Sequence, residues 1–390
     1  MRDFGRSLLP LWHLDPEGTF LNHGSFGACP RRVLEAQSAV RQEVERQPDQ
    51  FFRRKAMPES EHNALRPAAE RLGRFVATSG ERIAFVVNAT DAVNTVLRAA
   101  DLSSGDEILM LDCVYNAVRL AVEETCRRTG ARPKVVTVPI PLTRNDLVEH
   151  IVQAAGPRTR LAIIDHIASP TAIVFPVAEI AAGLKAKGVQ VLIDGAHALG
   201  QLPFDLETLG VDWYTANAHK WLYAPKGCAF LYATAQAAER TLPLSVSHWH
   251  KLGFPRAFDY VGTRDVSAFL SVPAALDFMT QFGVDAMRRY MSELARAGGE
   301  MLRDLGAEPV VSEAMSCAMR AYILPQRRPA EPADAATLMR DLWDKHRIQV
   351  ASAAFQGKLL CRLSAQIYNE PADFERLVDI LRRHGWTARA

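Results

Sequence analysis

Short apolar, β-branched runs recur along this chain with helical stretches between them, and they constrain the fold more than any other feature. Arg82 to Val87, Asp106 to Asp112, Lys134 to Val138, Arg160 to Asp165, Val189 to Ile193, Val211 to Thr215 and Gly227 to Tyr232 each read as a strand. Runs of this kind are buried on both faces, and strands that alternate with helices pair in parallel. The expectation is an α/β fold. Its sheet is mostly parallel, of a seven-stranded type, and sandwiched by helices.

Around Gly262 the pattern changes to long helical periodicity running to about Leu305. Two alternating strands follow, Cys317 to Leu324 and Lys358 to Ser364, with a helix near Ala335 to His346 between them. A final amphipathic helix starts at Pro371 and carries Phe374, Leu377, Val378 and Leu381 on one face. Three parts are therefore predicted: an N-terminal segment over 1–30, a large α/β domain over 31–265, and a linking helix with a smaller C-terminal α+β domain over 266–390.

With 390 residues, 48% of them hydrophobic, the chain can bury a large core. A net charge of +2 with no basic stripe points away from nucleic acid and toward small molecules. Six cysteines without a C-x-x-C pair indicate neither a metal site nor a disulfide framework, and a reducing cytoplasm fits best. The apolar patch Leu8-Leu9-Pro10-Leu11-Trp12 is too brief for a signal segment, and no run approaches a membrane span. A soluble cytoplasmic protein is expected.

Two segments carry chemistry. The run ending at Ile193 delivers Asp194-Gly195-Ala196-His197, and the next run delivers Asn217-Ala218-His219-Lys220 just past its end. Ligands of open α/β sheets sit outside the carboxyl ends of strands, so Asp194 and Lys220 are placed to face one pocket. A lysine amine forms a Schiff base with an aldehyde, and a carboxylate keeps a pyridine nitrogen protonated, which together suggest pyridoxal 5'-phosphate. Such a lysine must lose its proton, and burial beside a protonated His219 would favour that. The other reading leaves Asp194 capping a loop and Lys220 as a surface amine.

Upstream, Asn88-Ala89-Thr90-Asp91 opens a helix directly after a strand. Its free N–H groups and the Thr90 hydroxyl suit a phosphate, while plain capping by Asn88 or Thr90 explains the same residues. Tyr115 follows the next strand and suits stacking on a ring, or a place in the core or an interface. The turn Leu21-Asn22-His23-Gly24-Ser25-Phe26-Gly27 is built for close approach, or is an ordinary turn before the helix near Pro30 to Gln47. Arg362 offers a fork of donors to a substrate carboxylate, or lies on the polar face of an antiparallel sheet.

These motifs, with Gly262-Thr263-Arg264-Asp265 and Arg362 to Asn369, resemble fold-type I pyridoxal-phosphate enzymes of the class V aminotransferase family, in its isopenicillin N epimerase-like branch. The resemblance implies that Lys220 carries the Schiff base and Asp194 meets the pyridinium nitrogen. It implies phosphate contacts from Ala89, Thr90, Asn217 and His219, a stacking place for Tyr115, and His197 near the ring hydroxyl. Arg362 would take the substrate carboxylate, with Asn22 and His23 beside the substrate. Thr263 would reach the phosphate of a neighbouring subunit, implying a homodimer with shared sites. Many relatives place a histidine where Tyr115 stands.

The shared first step is removal of the α-proton of an amino-acid-type substrate by Lys220. Epimerisation leads, with Tyr115, His23 and Tyr260 as candidates for a second proton donor. C–S lysis of a cysteine conjugate and transamination use the same residues. A cysteine desulfurase is disfavoured, because Cys317 falls in a strand pattern where a buried, inert thiol is expected. A non-catalytic binding module is a further alternative, and a dinucleotide-binding dehydrogenase is disfavoured because no G-x-G-x-x-G follows the early strands. Arg256, Arg264 and Lys251 stand as surface charges that an acidic substrate tail could meet.

Overall fold

The computed structural model describes residues 4–140 and 144–384. Its centre is a seven-stranded sheet. Two short N-terminal residues form β1 (Thr19–Phe20); the sheet itself comprises β2 (Ile83–Val86), β3 (Glu107–Leu111), β4 (Arg132–Val136), β5 (Thr159–Asp165), β6 (Gln190–Asp194), β7 (Trp213–Ala216) and β8 (Ala229–Ala233). The strand order is β2-β8-β7-β6-β5-β3-β4, and every pairing is parallel except those of β8 with β2 and β7. Reversal of β8 puts its starting end, next to Gly227, at the edge where its neighbours finish.

The apolar runs are buried because both faces are covered. Alternate residues of each strand feed two cores: Phe85, Leu109, Ala162, Ile164 and Val191 go to one side, and Ala84, Ile108, Leu161, Ile163 and Leu192 to the other. The edge strand β4 is largely exposed and starts at Arg132, two residues before the expected Lys134. It also ends early, at Val136, since the Val138 N–H leaves the ladder for Asp112 Oδ1 at 3.0 Å.

A second sheet has the order β12-β13-β10-β9, all antiparallel, formed by β9 (Glu308–Pro309), β10 (Met319–Ile323), β12 (Ala351–Phe355) and β13 (Lys358–Ser364). β11 (Ile348–Gln349) instead pairs in parallel with β1, so the N-terminal segment is stitched to the C-terminal part of the chain. The 20-residue helix Val284–Arg303 spans about 30 Å beside this sheet. It carries Gly299 where a Cβ would sit 1.7 Å from Tyr322 Oη, so a bare backbone is what admits β10. Helices Val272–Phe282 and Ser267–Leu270 pack instead on helices Arg31–Arg46 and Leu65–Phe75 of the large layer. No helix of the described residues is long and apolar enough to cross a membrane.

Candidate active site

The strand ends converge on one cavity of about 340 Å³. β2 ends just before Asn88, Ala89 and Thr90; β3 precedes Tyr115; β5 and β6 end in Asp165 and Asp194; β7 is followed by Asn217, His219 and Lys220. All of these residues line the cavity, with His197, Ser25 and Ser169. Parallel winding brings those at the strand ends to one edge, although they are far apart in the chain, and the N-terminal turn adds Ser25.

Lys220 Nζ lies 3.3 Å from His197 Nε2. Burial and then the Arg362 charge push this amine down to about 8, against the opposing pull of Asp194 and Asp165. The expected source of positive charge was His219, and that expectation is corrected here. Burial, followed by Lys220 itself, pushes His219 down to about 4, so its ring is neutral and Arg362 supplies the charge. His219 Nδ1 donates to the Cys228 carbonyl at 2.9 Å, since a carbonyl only accepts, leaving Nε2 for the cavity. A phosphate dianion there would favour the protonated ring.

Asp194 is buried and accepts the Ala196 N–H at 3.0 Å; burial holds its carboxyl above the usual range. Asp165 stands opposite it in the β5–β6 register, is equally buried, and leaves Oδ2 without a partner. Burial and the Asp194 charge push it up as well. Sequence reasoning passed over Asp165, although an acid ending a buried strand is the same signal that marked Asp194.

At the start of helix Ala89–Ala99, Asn88 caps the Asp91 N–H at 2.8 Å, so the capping reading holds for that group. Asn217 Oδ1 takes the Ala89 N–H at 2.9 Å. Thr90 faces the cavity at the positive end of the helix. Tyr115 is 48% exposed at the cavity mouth rather than in the core.

Arg362, on β13, is buried, and burial lowers its guanidinium to about 10. Nη1 donates to the Ser169 carbonyl and Oγ at 2.6 and 3.2 Å, and Nη2 to Asn22 Oδ1 and Ser25 Oγ at 3.2 and 3.0 Å. Asn22 thus meets the arginine. His23 is fully buried and does not line the cavity. Thr263 is exposed, bonded to Tyr260 Oη at 3.0 Å, and outside this cavity. Arg256 and Arg264 are not free surface charges: Arg256 bonds Pro58 and Asp259, and Arg264 donates to Phe258 O and lies over the Phe269 ring. Cys317 sits two residues before β10 rather than inside a strand. It is buried against Gln201 Oε1 at 3.2 Å, and burial pushes its thiol up to about 11.

Comparison with known proteins agrees with this constellation. The Aminotransferase class-V family profile matches residues 29–377. The chain belongs to the class V aminotransferase family. It is 34% identical to an isopenicillin N epimerase of Amycolatopsis lactamdurans, over 95% of this chain and 96% of that protein. It is 31% identical to a putative L-cysteine desulfhydrase 1 of Oryza sativa subsp. japonica, covering 93% and 82%. The cystine C–S lyase C-DES, solved with cysteine persulfide, superposes with a TM-score of 0.80 at 22% identity, covering 93% of this chain and 97% of that one. The fold is therefore fold-type I, and the cofactor is pyridoxal 5'-phosphate.

The residues of this class V site fit that group. Buried His197 Nδ1 and Asp165 Oδ2 have no partner, an amine and a carboxyl share the cavity, and a helix start with a hydroxyl is turned toward it. Lys220 would hold the aldehyde carbon, Asp194 the ring nitrogen, and Thr90, Asn217 and His219 the phosphate.

Proposed function

We propose that this enzyme removes the α-proton of an amino acid, or of a peptide bearing a free amino-acid end, and returns a proton on the opposite face: an isopenicillin N epimerase-like racemisation. The single observation behind this reading is the Lys220 amine, held 3.3 Å from His197 and pushed down to about 8. A buried amine lowered to about 8 gives up its proton far more readily than a free lysine and is a proton acceptor of suitable strength near and above neutral pH. The cofactor supplies the electron sink that stabilises negative charge at the α-carbon. In this reading Arg362, whose Nη1 and Nη2 now meet the cavity-lining Ser169 and Ser25, takes the substrate carboxylate in exchange for some of those contacts, and His197 keeps the amine in place. Of Tyr115, His23 and Tyr260, only Tyr115 lines the cavity, which favours its phenol as the second proton group.

C–S lysis of a cysteine conjugate is the second reading. It needs one base rather than two, and the relatives named as desulfhydrases support it. Transamination remains a third outcome of the same first step. We further propose that two chains pair across the cavity mouth, where Phe26, Val87 and Tyr115 expose apolar surface and Thr263 lies exposed. Six free, buried cysteines suit a reducing compartment such as the cytoplasm.

The test is a panel of amino acids, cysteine conjugates and amino-acid-ended peptides incubated in deuterium oxide. Epimerisation gives inverted product labelled at the α-carbon, and Tyr115→Phe should slow inversion about a hundredfold while label still enters. Pyruvate with a released thiol supports lysis, and a keto acid that keeps its side chain supports transamination. Absence of α-label from every substrate sinks the proposal.

A further inference from the structure

The turn Asn22–Gly27 touches both working ends of the site. On one side Asn22 and Ser25 receive Arg362 Nη2. On the other, His23 Nε2 lies 3.0 Å from the backbone carbonyl of Lys220, and its Nδ1 lies 2.8 Å from Tyr368 Oη. A carbonyl can only accept, so Nε2 carries the proton and Nδ1 accepts from the Tyr368 hydroxyl. One neutral tautomer satisfies both contacts.

The surroundings enforce that state. His23 packs on the Trp221 and Tyr223 rings, with centroids 5.1 and 5.5 Å away. Burial pushes its imidazole down to about 3, and the Lys226 charge acts in the same direction against the Lys220 hydrogen bond. A buried neutral ring with both nitrogens engaged has no proton to exchange with a substrate.

A second contact presses the same turn onto the lysine loop. Gly27 holds φ +67°, and a Cβ there would lie 2.2 Å from the His219 carbonyl oxygen. Lys226 Nζ ties the Gly27 carbonyl at 2.9 Å. Past Lys220, Tyr223 holds φ +65°, a conformation a bulky residue keeps only when its surroundings impose it, and its hydroxyl bonds Gln366. Gln366 and Tyr368 both lie on the segment that leaves β13 just after Arg362.

We propose that His23 is a positioning residue: it fixes the Lys220 backbone through the Lys220 carbonyl and, through Tyr368, ties the amine's placement to the segment carrying Arg362. The inference rests on the roles proposed above for Lys220 and Arg362. Its chemical sense is geometric, because a shift of about 1 Å in a reacting group can cost about a hundredfold in rate.

The test uses cofactor-loaded wild type, His23→Gln, His23→Leu and Tyr368→Phe. Glutamine keeps an N–H able to reach the carbonyl, leucine keeps bulk without a donor, and phenylalanine removes only the hydroxyl. The readouts are the pH midpoint of the near-visible band, the rate of cofactor loss, the melting temperature, and kcat against KM. We expect His23→Leu to displace the midpoint, to lose cofactor about tenfold faster, and to lower kcat about tenfold to a hundredfold with KM nearly unchanged. His23→Gln should recover most of this, and Tyr368→Phe should shift the midpoint the same way by less. A wild-type midpoint in His23→Leu, or a glutamine variant as impaired as leucine at equal melting temperature, overturns the proposal. If His23→Leu does not fold, an unmoved midpoint in Tyr368→Phe overturns it. A wild type without any borohydride-reducible band fails earlier, on Lys220 itself, and is distinguishable from a band that His23 does not move.

Discussion

Asp165 and Asp194 end neighbouring parallel strands in direct register, both buried, and they place two carboxyls side by side in the wall of one cavity. Burial pushes both carboxyls up, and the Asp194 charge adds to the rise at Asp165.

For the apoprotein this pair sets a pH dependence. The folded state holds its protons to higher pH than the unfolded chain, whose aspartates titrate near about 3.9. Stability should therefore fall as pH rises from that value through the folded-state titration. Asp165→Asn removes one acid of the pair. Its melting temperature should exceed the wild type's at neutral pH, with a flatter profile. Equal profiles in the two proteins would show that Asp165 is not strained.

Schiff-base formation should report the lowered Lys220 amine directly. Only the neutral amine attacks an aldehyde, so the rate at which apoprotein acquires the near-visible band should rise with pH and level off above about 8. Arg362→Gln removes the second cause of that lowering and should move the midpoint upward. A wild-type midpoint near the free lysine value of about 10.4 rejects the account.

Asn217 holds the Ala89 N–H with its Oδ1, at the helix start that faces the cavity. Asn217→Leu should weaken cofactor retention about tenfold, the size of one hydrogen bond of about 1.4 kcal/mol. Dialysis followed by absorbance measures it. Retention equal to wild type would remove Asn217 from the phosphate site.

Gly299→Ala tests the close approach of β10. In a free helix this change gains about 1 kcal/mol. Here the added carbon falls 1.7 Å from Tyr322 Oη, so overpacking should win, with a net loss of about 1–3 kcal/mol in a denaturant titration. A gain instead would mean that Tyr322 moves aside freely.

The seven strands of the large sheet, the burial of all but the edge strand β4, and the placing of Asp194 and Lys220 were legible in the sequence, whereas β1, β9, β11 and β12 were not. Periodicity and β-branching report burial on both faces, and the end of a buried strand is where an α/β sheet exposes its chemistry. Asp165 had the same signal and was passed over because no complementary group stood near it in the chain. The protonation of His219 and the freedom of Arg256 and Arg264 were misread for one reason: charge state and pairing depend on neighbours that only folding supplies.

The chain's local pattern was thus sufficient for an α/β sheet, an amine and an acid at adjacent strand ends, and a helix start suited to phosphate. Tertiary structure decided what each group could do with its neighbours. His23 illustrates the division: as a sequence residue it is an exposed-looking acid–base candidate in a glycine turn, yet folding buries it between Tyr368 and the Lys220 carbonyl. Hydrogen bonds between residues 197 and 345 positions apart have no local signature, because they exist only once the two ends of the chain have packed around the lysine loop.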